Sequence, residues 1–489
     1  MRDPSLARTG ATGPTRRQVM SSGAGLLAAS IAASLWPEQT QAQTAGASDL
    51  ARIQGARRLL LRGGLVLTLD RQIGDFARAD VLIEDGKIRD IRPKIAVSGD
   101  TVAVDAANRI VMPGFIDTHH HFYQGILRSI LPNGRLAPDY YRDIGTILTP
   151  AYQPADVYAG TLITALGLMA MGTTTAIDTS QCSHTPAHND AGIAALREAG
   201  MRVVYAYWTG NGPGVQYPTD ALRLRRTYFS SQDQLLTLAL ASLLDPKTFA
   251  YAREADLRTV SHGVDARREP GLHELNRAGL LRPGDVFIHC NDLSDPAWTT
   301  LRDSGAKVSL APTIEMTMGH GTPGIQGALD HGIRPSLSSD VDATIASDLF
   351  SIMRTALSFQ RLGVQTRERA GEKDTPPLLT SRDVLEFATL EGARAAALDS
   401  KTGSLSPGKD ADVILLRTDS LDIWPVNNAA GAVVNLTNPG HVDAVFIAGR
   451  VKKWRGALVG VDAKRVRRLA ETARDGVVRR AKFRGDITG

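Results

Sequence analysis

The sequence predicts an α/β fold: a (β/α)8 TIM barrel with a β-sandwich assembled from the segments before and after it. Three observations predict it. Eight short apolar strands alternate with helical stretches over residues 111–400, and repeated βα units of this kind close into a parallel barrel. Strand-and-turn segments flank that region, too few on either side to close a core alone. At 489 residues, the chain is long enough for a large barrel and an accessory domain.

The elements follow in chain order. Residues 1–45 read as a targeting segment outside the fold. The pair Arg16-Arg17 precedes an apolar run over residues 24–35, and Thr40-Gln41-Ala42 offers a small-residue cleavage site. The run is too short to span a bilayer comfortably, so no stable membrane anchor is expected. The pattern is similar to a twin-arginine export signal, which implies a periplasmic or secreted protein. Residues 58–112 carry strands, with an Asp85-Gly86 turn inside one hairpin. Residues 113–400 form the barrel proper, whose strands are expected at 111–117, 173–178, 202–207, 235–241, 259–262, 286–290, 307–311 and 334–340. Residues 401–460 return to strands and complete the sandwich. Residues 461–489 are a basic helix or tail.

Composition narrows the class. Apolar residues make up 43% and charged residues 22%, with a net charge of +5, which suits a globular protein. Part of the basic excess lies in residues 464–484, where a solvated helix face explains it. No aromatic or groove-reading pattern accompanies it, so no nucleic-acid partner is expected. The two cysteines, Cys182 and Cys290, fit neither a disulfide framework nor a zinc knuckle.

Chemistry in such a barrel collects at the C-terminal ends of the strands. The first strand runs into Asp117-Thr118-His119-His120-His121, the fifth ends at His262, the sixth at His289-Cys290 and the eighth at Asp340. A strand alternates faces, so His119 and His121 share one side and His120 takes the other. Two imidazoles on one face can bind one ion, with His262 and Asp340 completing the set from across the barrel. Nitrogen and carboxylate donors without thiolates suit zinc, iron or manganese. An ion held so lowers the pKa of a water to roughly 7.

These residues resemble the amidohydrolase superfamily, over nearly the whole chain after the leader. The segment from Pro113 to His121 resembles its strand-1 motif. His289-Cys290-Asn291-Asp292 resembles strand 6 of the cytosine deaminase-like and chlorohydrolase branch, which includes triazine hydrolases and 8-oxoguanine deaminases. Residues 388–395 and 403–412 resemble that branch's return into the sandwich. The resemblance implies a distorted barrel and one catalytic divalent ion, zinc first and iron as the alternative. It implies His119, His121, His262 and Asp340 as ligands, His289 beside the ion, and Asp340 doubling as the base. Strand 4 carries no lysine, where the two-metal members use a carboxylated one.

One departure stands out. The branch carries His-x-x-Glu at strand 5, and the glutamate shuttles protons. Here the segment is His262-Gly263-Val264-Asp265, so Asp265 either takes that role or caps the next turn. Glu315 and His320, just after strand 7, are expected at the pocket mouth as substrate contacts. Tyr123 and Gln124 belong to a Phe-Tyr-Gln string similar to that of purine-type deaminases, and Gln124 is expected to read an amide or ring nitrogen. The reading is a metal-dependent hydrolase of non-peptide carbon–nitrogen bonds. It acts on a small cyclic nitrogen compound, in first place as an aminohydrolase, and forms a homo-oligomer. An amidase, lactam-opening or dechlorinating reaction is the near alternative, and a non-catalytic ligand-binding barrel the remote one.

Overall fold

The computed structural model describes residues 48–97 and 99–484. The twin-arginine segment lies outside the described residues. Two compact units divide the chain after Ile53. Residues 48–53 of the first are helical, and the rest of the fold belongs to the second.

Among the described residues, five strands precede the barrel: β1 (Arg58–Val66), β2 (Phe76–Glu84), β3 (Lys87–Arg92), β4 (Thr101–Asp105) and β5 (Arg109–Pro113). The barrel is made by β6 (Phe115–His120), β7 (Thr173–Ser180), β8 (Arg202–Tyr207), β9 (Leu236–Ser242), β10 (Thr259–Asp265), β11 (Val286–Asn291), β12 (Lys307–Leu310) and β13 (Ser336–Leu337). After it come β14 (Val413–Arg417), β15 (Val442–Ile447), β16 (Arg450–Trp454) and β17 (Ala457–Leu458).

The two flanking groups merge into one nine-stranded sheet, ordered β17-β16-β15-β14-β5-β1-β2-β3 with β4 also on β1. The seam is β5 against β14, antiparallel from Val413↔Pro113 to Arg417↔Arg109. β1 pairs with β2 along one edge and shares its other edge between two partners: residues Arg58 to Arg62 pair with β4, and Leu65 and Val66 with β5. The change of partner falls at Gly63-Gly64. Gly63 has φ +74, and a Cβ on Gly64 would stand 2.6 Å from Val111 Cγ2, so the bend requires glycine there. Segments from before and after the barrel thus share one sheet, through β5 and β14.

The first barrel strand differs from its expected span. Residues 109–113 stay in the outer sheet, and the chain crosses into the barrel at Gly114. A Cβ on Gly114 would meet the Thr174 side chain at 2.2 Å, so the crossing leaves no room for a larger residue. From β6 to β13 all neighbours are parallel. The helix Pro154–Ala170 shows how a βα unit is punctuated. Proline sits in its first turn, Gln153 and Asp156 form a capping box, and Gly172 (φ +92) turns the chain into β7.

The eighth strand is only two residues long, and the last seam is closed by side chains and by Asp340. The Thr118 hydroxyl lies 2.9 Å from Ser336 Oγ and donates to the Leu337 carbonyl at 3.0 Å. Above it, Asp340 N donates to His119 O at 3.0 Å and His121 N donates to Asp340 O at 2.9 Å. The chain's last helix, Ala463–Ala481, is not merely solvated. It buries Val466, Ala470, Ala473 and Val477, and Arg480 pairs with Asp156 of the helix Pro154–Ala170. Among the described residues, no helix is long and apolar enough to cross a membrane.

Candidate metal centre and active site

The strand ends bring His119, His121, His262, His289 and Asp340 together. His119 and His121 leave β6 on one side, as alternation requires. His119 Nδ1 lies 2.8 Å from the Thr179 hydroxyl, and His121 Nδ1 donates to the Thr179 carbonyl at 2.9 Å. A carbonyl only accepts, so His121 carries its proton on Nδ1 and presents Nε2 as a lone pair. His119 Nε2 is 3.0 Å from Asp340 Oδ1, and His121 Nε2 is 3.5 Å from the same oxygen. His262 Nε2 faces His121 Nε2 at 3.3 Å. His289 Nε2 stands 3.7 Å from Asp340 Oδ2 and has no hydrogen-bond partner among the described residues, though it is buried.

Electrostatics agree with this geometry. Burial pushes the His119 imidazole down to about 3 and lowers His121 and His262 as well, so these three are neutral. Asp340 lies well below the carboxylate range: burial would raise it, but the hydrogen bond with His119 Nε2, which a neutral imidazole can donate, opposes that. One donor atom from each of His119, His262, His289 and Asp340 lies within 4.8 Å of the others, and His121 adjoins both His262 and Asp340. Neutral imidazole nitrogens facing each other around a buried carboxylate fit a divalent cation. The Thr179 contacts are the outer bonds that orient such ligands.

Backbone strain marks the same place. His289 has φ +75, Cys290 φ +52 and Asp340 φ +66, a region costly for residues with a Cβ. The hydrogen bonds to His119 O and His121 N hold Asp340 there. His120 faces away from the centre, with Nδ1 2.9 Å from Ser339 Oγ, and Ser339 also bonds Asp117. His120 therefore ties β6 to the turn that carries Asp340.

Glu315 is fully buried behind His289 and is absent from the cavity wall. Its Oε1 is 3.1 Å from His289 Nδ1 and accepts from Ala311 N at 2.8 Å. It orients His289 from behind and lies away from the pocket mouth, its expected position. Burial disfavours a charged imidazole at His289, but the Glu315 hydrogen bond and the Asp340 charge outweigh it and raise its pKa above the ordinary value. His320 does line the cavity, its ring 4.7 Å from that of His289.

Gln124 is also placed differently from its expected role. It is fully buried, outside the cavity wall, and donates through Nε2 to the hydroxyls of Tyr123 (3.1 Å) and Tyr140 (2.7 Å). Those two tyrosines line the cavity in its place. Asp265 lines the cavity as well, but its carboxylate is engaged. It accepts from Arg267 N at 2.9 Å and pairs with Arg267 Nη2 at 2.7 Å and Arg268 Nη1 at 3.1 Å. Burial would raise its pKa, yet the two arginines hold it below the carboxylate range.

The cavity over the cluster measures about 450 Å³. Its wall adds Trp208, Tyr140 and Asn291, which sequence reasoning missed. Trp208 directly follows β8, a position that strand-end logic could have singled out. Tyr140 sits on the irregular helical segment Leu136–Leu148, and nothing in its local pattern announces it.

Residues 110–241 and 237–452 match the Amidohydrolase family, and the chain belongs to it. It is a hydrolase of carbon–nitrogen bonds other than peptide bonds. Among its relatives is the 5'-deoxyadenosine deaminase of Methanothermobacter thermautotrophicus, 28% identical over 426 residues, which cover 82% of this chain and 95% of that protein. Another is 5-methylthioadenosine/S-adenosylhomocysteine deaminase 1 of Syntrophus aciditrophicus, 28% identical over 453 residues, covering 85% and 97%. The fold is that of an adenosine deaminase from Xanthomonas campestris with bound zinc (TM-score 0.75, 20% identity, 86% of this chain and 98% of that one). Atrazine chlorohydrolase from Arthrobacter aurescens, complexed with zinc, is equally similar (TM-score 0.75, 21% identity, 85% and 100%).

Proposed function

We propose that the protein is a zinc-dependent aminohydrolase that replaces the exocyclic amino group of a purine-type ring by oxygen, releasing ammonia. Iron is the alternative ion. The carrying observation is the set of neutral imidazoles converging on ionised Asp340 beneath an aromatic-walled cavity. That cavity falls within the usual range for small-molecule sites, and Tyr123, Tyr140 and Trp208 suit a planar ring. The deaminase relatives support the choice of leaving group.

His119, His121, His262 and Asp340 would hold the ion, which when bound would supply the Lewis acidity that makes water nucleophilic near neutral pH. Asp340 accepts a proton from the attacking water as the carbon–oxygen bond forms. His289, oriented by Glu315, holds the substrate's ring against the cluster. The proton on Asp340 then passes to the amino nitrogen, the carbon–nitrogen bond breaks, and ammonia leaves. Water has thus given its oxygen to carbon and a proton to nitrogen. Chelation should abolish release of ammonia from 5'-deoxyadenosine, and one equivalent of zinc should restore it. A zinc-loaded protein that releases no ammonia from any adenine compound sinks the reading.

In this reading Asp265 anchors arginines and carries no proton. A proton carrier is worth about 10²–10⁴-fold in rate. Asp265→Asn should therefore lower kcat by less than about tenfold, with the larger change in KM. A fall in kcat of about a hundredfold or more, measured at saturating substrate, would return the shuttle role to Asp265.

A further inference from the structure

The geometry points to an anion subsite at the rim of the cavity, built from Arg267 and Arg268, so that the substrate carries a carboxylate or phosphate remote from the amino group it loses. This rests on the aminohydrolase reading and names the substrate class within it.

β10 ends at Asp265, and the short turn Ala266–Arg268 follows with Asp265 as its cap. Both arginine side chains fold back onto that carboxylate, and Arg268 Nη1 also donates to Gly263 O at 2.7 Å. Both line the same cavity as His262 and Asp340. The local charge does not cancel: two guanidiniums face one carboxylate. Asp340, the other acid of the wall, is engaged by the histidine cluster. The bonds to Asp265 and Gly263 use Nη2 of Arg267 and Nη1 of Arg268. A guanidinium has five N–H donors in a planar fork, so each retains donors for a second oxyanion.

The exposures fit a rim. The Arg267 side chain is 72% exposed and that of Arg268 35%, against 13% for Asp265. The half-buried carboxylate holds both side chains in place, which reduces the ordering cost of binding. A net positive rim also steers anions toward the opening. Asp265 thus has a use other than proton transfer.

Three adenine compounds that differ only at the 5' substituent test this: 5'-deoxyadenosine, adenosine 5'-carboxylate and adenosine 5'-monophosphate. With the zinc-loaded protein, at least one anionic compound should show a kcat/KM about tenfold or more above that of 5'-deoxyadenosine, the scale of a charge-assisted hydrogen bond. Its advantage should shrink as salt rises. Which anion leads tells carboxylate from phosphate. In the double variant Arg267→Gln/Arg268→Gln the anionic-to-neutral ratio should fall by about tenfold or more. A ratio at or below one, or one indifferent to salt and to the substitutions, overturns the subsite. Should that variant fail to fold, the salt response of the unaltered protein decides alone. Should none of the three be deaminated, the aminohydrolase reading fails. Calorimetric binding of the same compounds to the zinc-loaded protein then decides the subsite separately: tighter binding of an anion upholds it, and equal binding overturns it.

Discussion

Asp340→Asn is expected to lower kcat by about 1,000-fold or more while leaving the fold intact. The carboxylate has two duties that asparagine cannot perform. It is the anionic donor among neutral imidazoles, 3.0 Å from His119 Nε2 and 3.5 Å from His121 Nε2. In the proposed mechanism it is also the base that takes the water's proton, a role worth about 10²–10⁴-fold by itself. The backbone, by contrast, should tolerate the change. Asparagine accepts a positive φ more readily than most residues, so φ +66 at position 340 and the bonds to His119 O and His121 N survive. The two duties separate experimentally. Zinc content should fall at limiting metal and recover with excess metal, whereas kcat should not recover. A variant that regains kcat to within about tenfold of the unaltered protein under excess zinc would remove Asp340 as the base. Thermal unfolding of the zinc-free proteins checks that the fold is unchanged.

Much of this centre is written in local sequence. The pairing of His119 with His121, and the exclusion of His120, follow from the two-residue period of a strand. The positions of His262, His289 and Asp340 follow from the rule that barrel chemistry gathers at strand ends. What sequence could not show depends on where side chains find partners. Gln124 follows the metal motif by three residues, yet the turn that begins at Phe122 carries it inward to two tyrosine hydroxyls. Glu315 lies near the pocket in sequence order, but a fully buried carboxylate needs donors, and His289 Nδ1 and Ala311 N supply them to its Oε1. Asp265 sits two and three residues before Arg267 and Arg268, so its ion pairs are local, and the bland reading of a capping aspartate is part of the truth. The outer sheet was less legible. Its seam joins Pro113 to Val413, 300 residues apart, and a pairing at that separation leaves no local signal in either segment.

Arg202→Met is expected to destabilise the protein by about 3–5 kcal/mol, the cost of leaving a buried carboxylate without its cation. Arg202 opens β8, and its side chain is 2% exposed. Nε donates to Asp412 Oδ2 at 2.7 Å, and Nη2 donates to Asp412 Oδ1 at 3.1 Å and Asp410 Oδ2 at 2.8 Å. Asp412 is fully buried and also accepts from Ala448 N at 2.7 Å, in the turn after β15. Its backbone carbonyl accepts from Gly114 N at 3.1 Å, at the crossing between sheet and barrel. The segment Gly408-Lys409-Asp410-Ala411-Asp412, legible as a family-like return of the chain, is therefore an ionic clamp between the barrel and the outer sheet. Removing the charge from both ends should cost less than removing it from one, so Arg202→Met/Asp412→Asn should recover part of the loss in urea unfolding. Because Arg202 lies at the N-terminal end of its strand and the histidines at the C-terminal ends, kcat below the unfolding transition should stay within about twofold, the pattern for a residue on the stability face of a barrel. A single variant that loses less than about 1 kcal/mol would show that the clamp contributes no more than an exposed ion pair.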